Sequence, residues 1–191
     1  MCVYTVSPRG GLIRPAEQCP SPNQDDRPDD CEPDLIIIHG ISLPPGEYGG
    51  PYVEQLFTNR LDWDEHPHFA EIRGLKVSSH LFIRRGGGLI QFVPFNRRAW
   101  HAGASCYRER QECNDFSIGI ELEGEDETPY ADPQYNTLIE VISALQTTYT
   151  SLCARRIVGH CDVSPDRKSD PGPAFDWLRL YDGLCKNTEG I

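Results

Sequence analysis

Asp34-Leu35-Ile36-Ile37-Ile38-His39 passes from one polar residue to another through a continuous aliphatic run. Three of those residues are β-branched isoleucines, so the stretch reads as a buried strand that ends at a histidine. A second strand is legible at Phe116 to Gly124, where Ile118, Ile120 and Leu122 point one way and Gly119, Glu121 and Glu123 the other. Arg156 to His160 is short, and it too closes on a histidine. Val77 to Arg84 and Leu89 to Phe95 flank Gly86-Gly87-Gly88 as a β-hairpin would.

Helical spacing lies between and after these strands. A short helix is expected from Pro51, with Val53, Leu56 and Phe57 facing inward. A longer one is expected behind an Asp132 cap with Pro133 at its first position. Tyr135, Leu138, Ile139, Ile142, Leu145 and Tyr149 form its buried face. A last helix runs through Phe175, Leu178 and Leu184, after a polar loop from Asp162 to Gly172. Strands mixed with helices predict an α/β fold of one domain, a mixed central β-sheet flanked by helices. Residues 1–34, rich in Pro, Asp, Ser and Gly from residue 7 onward, read as an irregular lead-in to a catalytic domain at 35–185.

The chain has 191 residues, enough for one domain with a substantial core. Its net charge of −11 and the absence of a basic run argue against a nucleic-acid partner. No apolar stretch approaches the roughly 20 residues of a membrane helix, so no membrane partner is expected. Met1 to Gly10 lacks a signal-peptide pattern. The eight cysteines include no Cys-x-x-Cys pair, so they are expected as reduced thiols in a cytoplasmic protein.

Polar residues at strand ends are the candidates for chemistry. His39 and His160 each close a strand, Glu121 lies within one, and Lys168 and Asp170 stand in the loop after His160. Two histidines and a carboxylate suit a catalytic zinc, which keeps a further position for water. From spacing alone a plainer reading stays open, with His39 a hydrogen-bonded core histidine and Asp170 a cap before Pro171. His80 reads as a core or supporting histidine. Asp62, Asp64, His66 and His68 read as a solvated loop that Pro67 keeps irregular.

Five segments taken together go further. Asp34 to His39, Ile41 to Glu47, Ala99-Trp100-His101-Ala102-Gly103, Cys113 to Gly124 and Gly159-His160-Cys161-Asp162 with Asp166 to Gly172 resemble the AmpD-type N-acetylmuramoyl-L-alanine amidases. The resemblance runs from about Cys19 to Trp177, and the wider family includes phage amidases and peptidoglycan-recognition proteins. It implies hydrolysis of the amide between the lactyl group of (1,6-anhydro-)N-acetylmuramic acid and L-alanine in recycled cell-wall fragments. It also implies one Zn2+ per chain on His39, His160 and Asp170, with Glu121 and Lys168 as the catalytic pair. Glu121 would move the water proton, and Lys168, held by Asp166 and Asp170, would stabilise the oxyanion. Trp100, His101, Lys76 and Arg110 are the substrate-binding candidates, and a monomer acting on a small anhydro-muropeptide is expected.

The chain departs from the pattern at Gly40, where the relatives carry Asn, and at Lys76 and Glu112, where they tend to have Arg. Two other functions fit parts of the chain. A muropeptide-binding module without activity would lack a ligand residue, and a glycosidase using Glu121 and Glu123 would need no metal.

Overall fold

The structure is a computed structural model that describes residues 4–29 and 31–188. Its centre is a six-stranded sheet built, in chain order, from β1 (Glu17–Gln18), β2 (Leu35–Ile41), β3 (Leu81–Ile83), β4 (Leu89–Gln91), β5 (Ser117–Glu123) and β6 (Ile157–Gly159). In space the order is β6–β2–β5–β3–β4–β1. The first four strands of that order run parallel, β4 is antiparallel to β3, and β1 is parallel to β4. The sheet is therefore mixed, as the pattern of strands and helices predicts. The hairpin expected around the triple glycine is present, although its ladder is confined to Leu81–Ile83 and Leu89–Gln91.

Both faces of the sheet are covered, which is why β2 carries no polar alternation before His39. Ile36, Ile38, Ile118, Ile120 and Leu122 pack with the long helix α3 (Asp132–Thr148) and with Leu180 and Leu184 of α5 (Trp177–Thr188). On the opposite face Leu35 and Ile37 meet Ala102, Tyr107, Phe116 and Val163. Farther along, Phe82 and Ile90 join Val53, Leu56 and Phe57 of α1 (Tyr52–Phe57) and Phe69 of α2 (Pro67–Glu71).

Several expectations shift. The first residue of α3 is Asp132, and its cap is Ala131, whose amide donates to the Gln134 carboxamide oxygen at 3.0 Å. Asp132 pairs instead with Arg179. Ile139 and Tyr149 are only partly buried, and Val141 and Ala144 take up the core face beside Leu138, Ile142 and Leu145. In α5 the phase differs from the reading: Leu178 is 76% exposed, while Leu180 and Leu184, one turn apart, are buried. Pro67 does not break regular structure; it sits at the start of α2, where a missing amide hydrogen has no consequence.

The lead-in is more ordered than its composition suggests. Thr5–Ser7 pairs with Leu12–Arg14, Glu17–Gln18 is the sheet's edge strand, and Gln24–Asp26 pairs with Arg97–Ala99. Such two- and three-residue strands are too short to show a period. Beyond them Arg27 is buried, and its guanidinium donates to the carbonyls of Phe95, Asn114, Asp115 and Ser117 at 2.7–3.2 Å.

Candidate functional site

The parallel register of β2 and β5 sets Glu121 directly opposite His39. Side chains in register on parallel neighbours point to the same face, so both project from one side of the sheet. On the other flank of β2, Gly159 pairs with Ile38. The next residue, His160, opens the one-turn helix α4 (His160–Val163) and so lies beside His39. Asp170 returns in the following loop, held there by a bond from the Cys161 amide to its own carbonyl at 3.0 Å.

These elements bring His39, His160 and Asp170 together, with one ligand atom of each within 4.8 Å of the others. His39 Nδ1 lies 3.0 Å from His160 Nδ1 and 3.2 Å from Asp170 Oδ2. His160 Nδ1 is 3.1 Å from the same carboxylate oxygen. The far nitrogen of His160, Nε2, sits 3.2 Å from the Ala102 carbonyl, which only accepts, so it carries the proton. His160 therefore turns a lone pair toward His39 and Asp170. Three convergent acceptors, the two nitrogens buried and the carboxylate partly so, then share at most one proton. Two nitrogens and one carboxylate oxygen in that state are a donor set that fits a divalent zinc-like cation.

Burial lowers the His39 pKa to about 4, opposing the pull of Asp170. Burial alone would raise the Asp170 carboxyl, but its bonds with His160 and His39 hold it below the usual carboxylate range. Glu121 is shifted the other way. Burial and the Asp170 charge push its carboxyl well above the ordinary value, with Lys168 acting against them. Its Oε1 is 4.0 Å from His39 Nδ1, and its buried Oε2 has no hydrogen-bond partner among the described residues. Such a carboxyl, with one oxygen free, is placed to exchange a proton with a group brought alongside.

The sequence model of the N-acetylmuramoyl-L-alanine amidase family matches residues 29–173, which include all five of these residues. The chain belongs to that family. This amidase is 54% identical over 178 residues to the 1,6-anhydro-N-acetylmuramyl-L-alanine amidase AmpD of Escherichia coli K12, covering 93% of this chain and 97% of the relative. It superposes on the crystal structure of a Se-Met AmpD derivative with a TM-score of 0.90, covering 92% of this chain and 97% of that one at 52% identity. The Escherichia coli amidase AmiD, in complex with anhydro-N-acetylmuramic acid-L-Ala-D-gamma-Glu-L-Lys, is a more distant neighbour. It has a TM-score of 0.58 and 26% identity, covering 95% of this chain and 65% of its own. The amidase is accordingly an enzyme with the mixed-sheet fold of its relatives.

Other candidates fall in different places. Lys168 is exposed near Glu121 and His39. Among the described residues it forms no ion pair, because Asp170 is turned to the histidines. The expectation that Asp166 and Asp170 hold it is corrected by this geometry. Trp100 is half-buried, with its side chain hydrogen-bonded to Asp25, and Lys76 is exposed. Arg110 pairs with Asp34 at 2.7 Å and stacks on Phe116. Asp34 precedes β2, five residues before His39, which is about 16 Å at roughly 3.3 Å per residue. Arg110 is thus placed at the wrong end of the strand to touch a substrate at His39.

His101 is buried behind His39, its Nδ1 2.9 Å from His39 Nε2, and does not face the cleft. His80 is a core histidine whose Nδ1 accepts from the Gly119 amide at 3.0 Å. Both oxygens of Glu123 are taken by backbone amides, those of Gly49 and Arg85. That leaves it no part as half of a glycosidase pair. Asp64 pairs with Arg73, His66 caps α2 and His68 faces Glu71, so these residues do not converge. The seven described cysteines are free thiols, and Cys2 lies outside the described residues. One residue the sequence reading missed is Tyr130, whose hydroxyl donates to the Pro171 carbonyl at 2.9 Å, beside Asp170. A tyrosine in a loop gives no signal of this in the sequence.

Proposed function

We infer that this amidase hydrolyses the amide joining the lactyl group of 1,6-anhydro-N-acetylmuramic acid to L-alanine, using one zinc ion held by His39, His160 and Asp170. The observation that carries the reading is the convergence of His39 Nδ1, His160 Nδ1 and Asp170 Oδ2 beside the unpartnered oxygen of Glu121. The substrate follows the activity of AmpD and the ligand of the AmiD complex. When bound, zinc supplies Lewis acidity toward the scissile carbonyl and the attacking water.

The chain's own groups have separable tasks. Glu121, raised by burial and buried next to His39, takes the water proton and returns it to the leaving amine. Lys168 brings a positive charge to the oxyanion as the carbonyl becomes tetrahedral. The aliphatic floor of β2 keeps bulk water from the inner side, which strengthens both interactions. No helix among the described residues is long and apolar enough to cross a membrane. Action as a monomer in the cytoplasm is part of the same proposal, and the free thiols of the described residues fit a reducing compartment.

The test is mass analysis of anhydro-muropeptide incubated with the purified protein. The expected products are the free anhydro sugar acid and an intact peptide with a new L-alanine amino terminus. Cleavage of a glycosidic bond, or an unchanged substrate in the presence of zinc, would contradict the reading.

A further inference from the structure

On the reading of His39, His160 and Asp170 as metal ligands, we propose that His101 is a positioning residue that fixes the ring and the proton of His39 through hydrogen bonds ending on the Cys113 carbonyl. The argument starts at that far end. A carbonyl only accepts, and Ser117 Oγ lies 2.6 Å from the Cys113 oxygen, so the hydroxyl proton is directed there. Ser117 Oγ must then accept from His101 Nε2, 3.2 Å away, which places a proton on that nitrogen.

The His101 ring is buried beside His39 and His80, where nothing offsets the charge a second proton would bring. Among the described residues no carboxylate pairs with it. With Nε2 protonated, Nδ1 is a lone pair, and it faces His39 Nε2 at 2.9 Å. His39 therefore donates from Nε2 and turns its own Nδ1 lone pair toward His160 and Asp170. Together with the proton that Ala102 fixes on His160 Nε2, this removes the last shared proton from the three acceptors. Three convergent acceptors without a proton are unfavourable in a buried site and are relieved by a cation. A second partner that sets the tautomer of a ligating histidine is a general requirement of such centres.

The seat for His101 is cut into β5. A Cβ added at Gly119 would lie 2.5 Å from His101 Cγ and Nδ1, so the ring occupies the space of a missing side chain. Ser117, Gly119 and Glu121 alternate on one face of that strand. One strand thus carries the hydroxyl that links His101 to the Cys113 carbonyl, the notch for His101 and the proposed proton acceptor.

Zinc affinity, read by competition with a chromophoric chelator at one fixed pH, tests the proposal. His101→Ala is expected to weaken zinc about 10- to 100-fold. His101→Gln, whose amide offers an oxygen to His39 and an amino group to Ser117, is expected to recover most of the loss. Gly119→Ala keeps every polar group but displaces the ring, and should weaken zinc in the same direction. Long-range nitrogen–proton NMR of the unmutated metal-free protein should find His39 and His101 protonated at Nε2 only. The proposal is overturned by unchanged affinity in His101→Ala, by a Gln variant as weak as the Ala variant, or by a proton on His101 Nδ1. An unmutated protein that binds no zinc would sink the metal reading instead. The NMR result, which needs no mutation or metal, would still decide the role of His101.

Discussion

Substituting Gly40 by alanine, one methyl group beside the candidate ligand His39, should be among the more damaging small changes in this protein. A Cβ there would lie 2.2 Å from the Tyr130 hydroxyl oxygen, and must move about 1.2 Å to reach ordinary contact at 3.4 Å. The hydroxyl has little room to retreat. It donates to the Pro171 carbonyl at 2.9 Å, and its ring lies against Phe175 and over Gly124. Losing a buried hydrogen bond costs about 1 kcal/mol, and overpacking a filled site adds about 1–3 kcal/mol. Gly40→Ala should therefore destabilise the fold by about 2–4 kcal/mol, measured by urea unfolding with linear extrapolation. Tyr130→Phe alone should lose about 1 kcal/mol. The two changes together should be less damaging than their sum by about 2–4 kcal/mol, because removing the hydroxyl makes room for the methyl group and the hydrogen bond is lost only once. Zinc affinity should fall in Gly40→Ala as well, since Pro171 carries the strain to Asp170. Gly40→Asn, whose side chain begins with the same Cβ, should destabilise the fold for the same reason. Stability of Gly40→Ala equal to that of the parent, or strict additivity with Tyr130→Phe, would refute the reasoning.

Three further outcomes are expected. Glu121→Ala and Lys168→Ala should each lower kcat by about 100-fold or more while zinc content stays near one equivalent; near-normal turnover in either would remove its catalytic role. His160→Ala should lose zinc, and elemental analysis finding a full equivalent would overturn the ligand assignment. In the metal-free protein, His39 takes up a proton more readily unfolded, near 6.5, than folded, at about 4. Its contribution is present above 6.5 and is lost as the pH falls toward 4, at most about 3 kcal/mol for this one group. Buried His80 and His101 act in the same direction. The melting temperature should fall steeply across that window, and a flat profile would count against neutral buried histidines.

The strands and their polar exceptions were legible because burial leaves a pattern that needs no partner to be seen. His39 ends an aliphatic run and Glu121 stands on the polar side of an alternating strand, and the period of the strands says so. Their pairing was not legible, because β2 and β5 are far apart in sequence and nothing local fixes a parallel register. His101 was read as a substrate contact because a Trp-His pair at a strand end does not reveal which side faces the cleft. Arg110 was misplaced for a related reason: closeness in sequence to Glu112 says nothing about which end of the sheet a hairpin reaches. The phase of α5 was off because Trp177, not Phe175, begins the helix. In retrospect Gly40 and Gly124 carried a signal, since both leave space for the one Tyr130 ring.

Arg27 bears on where this enzyme can be cut. The family match starts at residue 29, so a fragment trimmed to that edge would keep all five candidate site residues. It would nevertheless shed the guanidinium that ties Phe95 to Asn114, Asp115 and Ser117. Four carbonyls would lose the guanidinium at once, those of Phe95 and Ser117 in buried bonds, at about 1–3 kcal/mol for each left unsatisfied. Such a fragment should express poorly or melt early, whereas one beginning a few residues before Gln24 should retain the clasp. Homology marks the part of the chain whose chemistry is shared. The point at which the polypeptide can be shortened is set by one arginine just outside it.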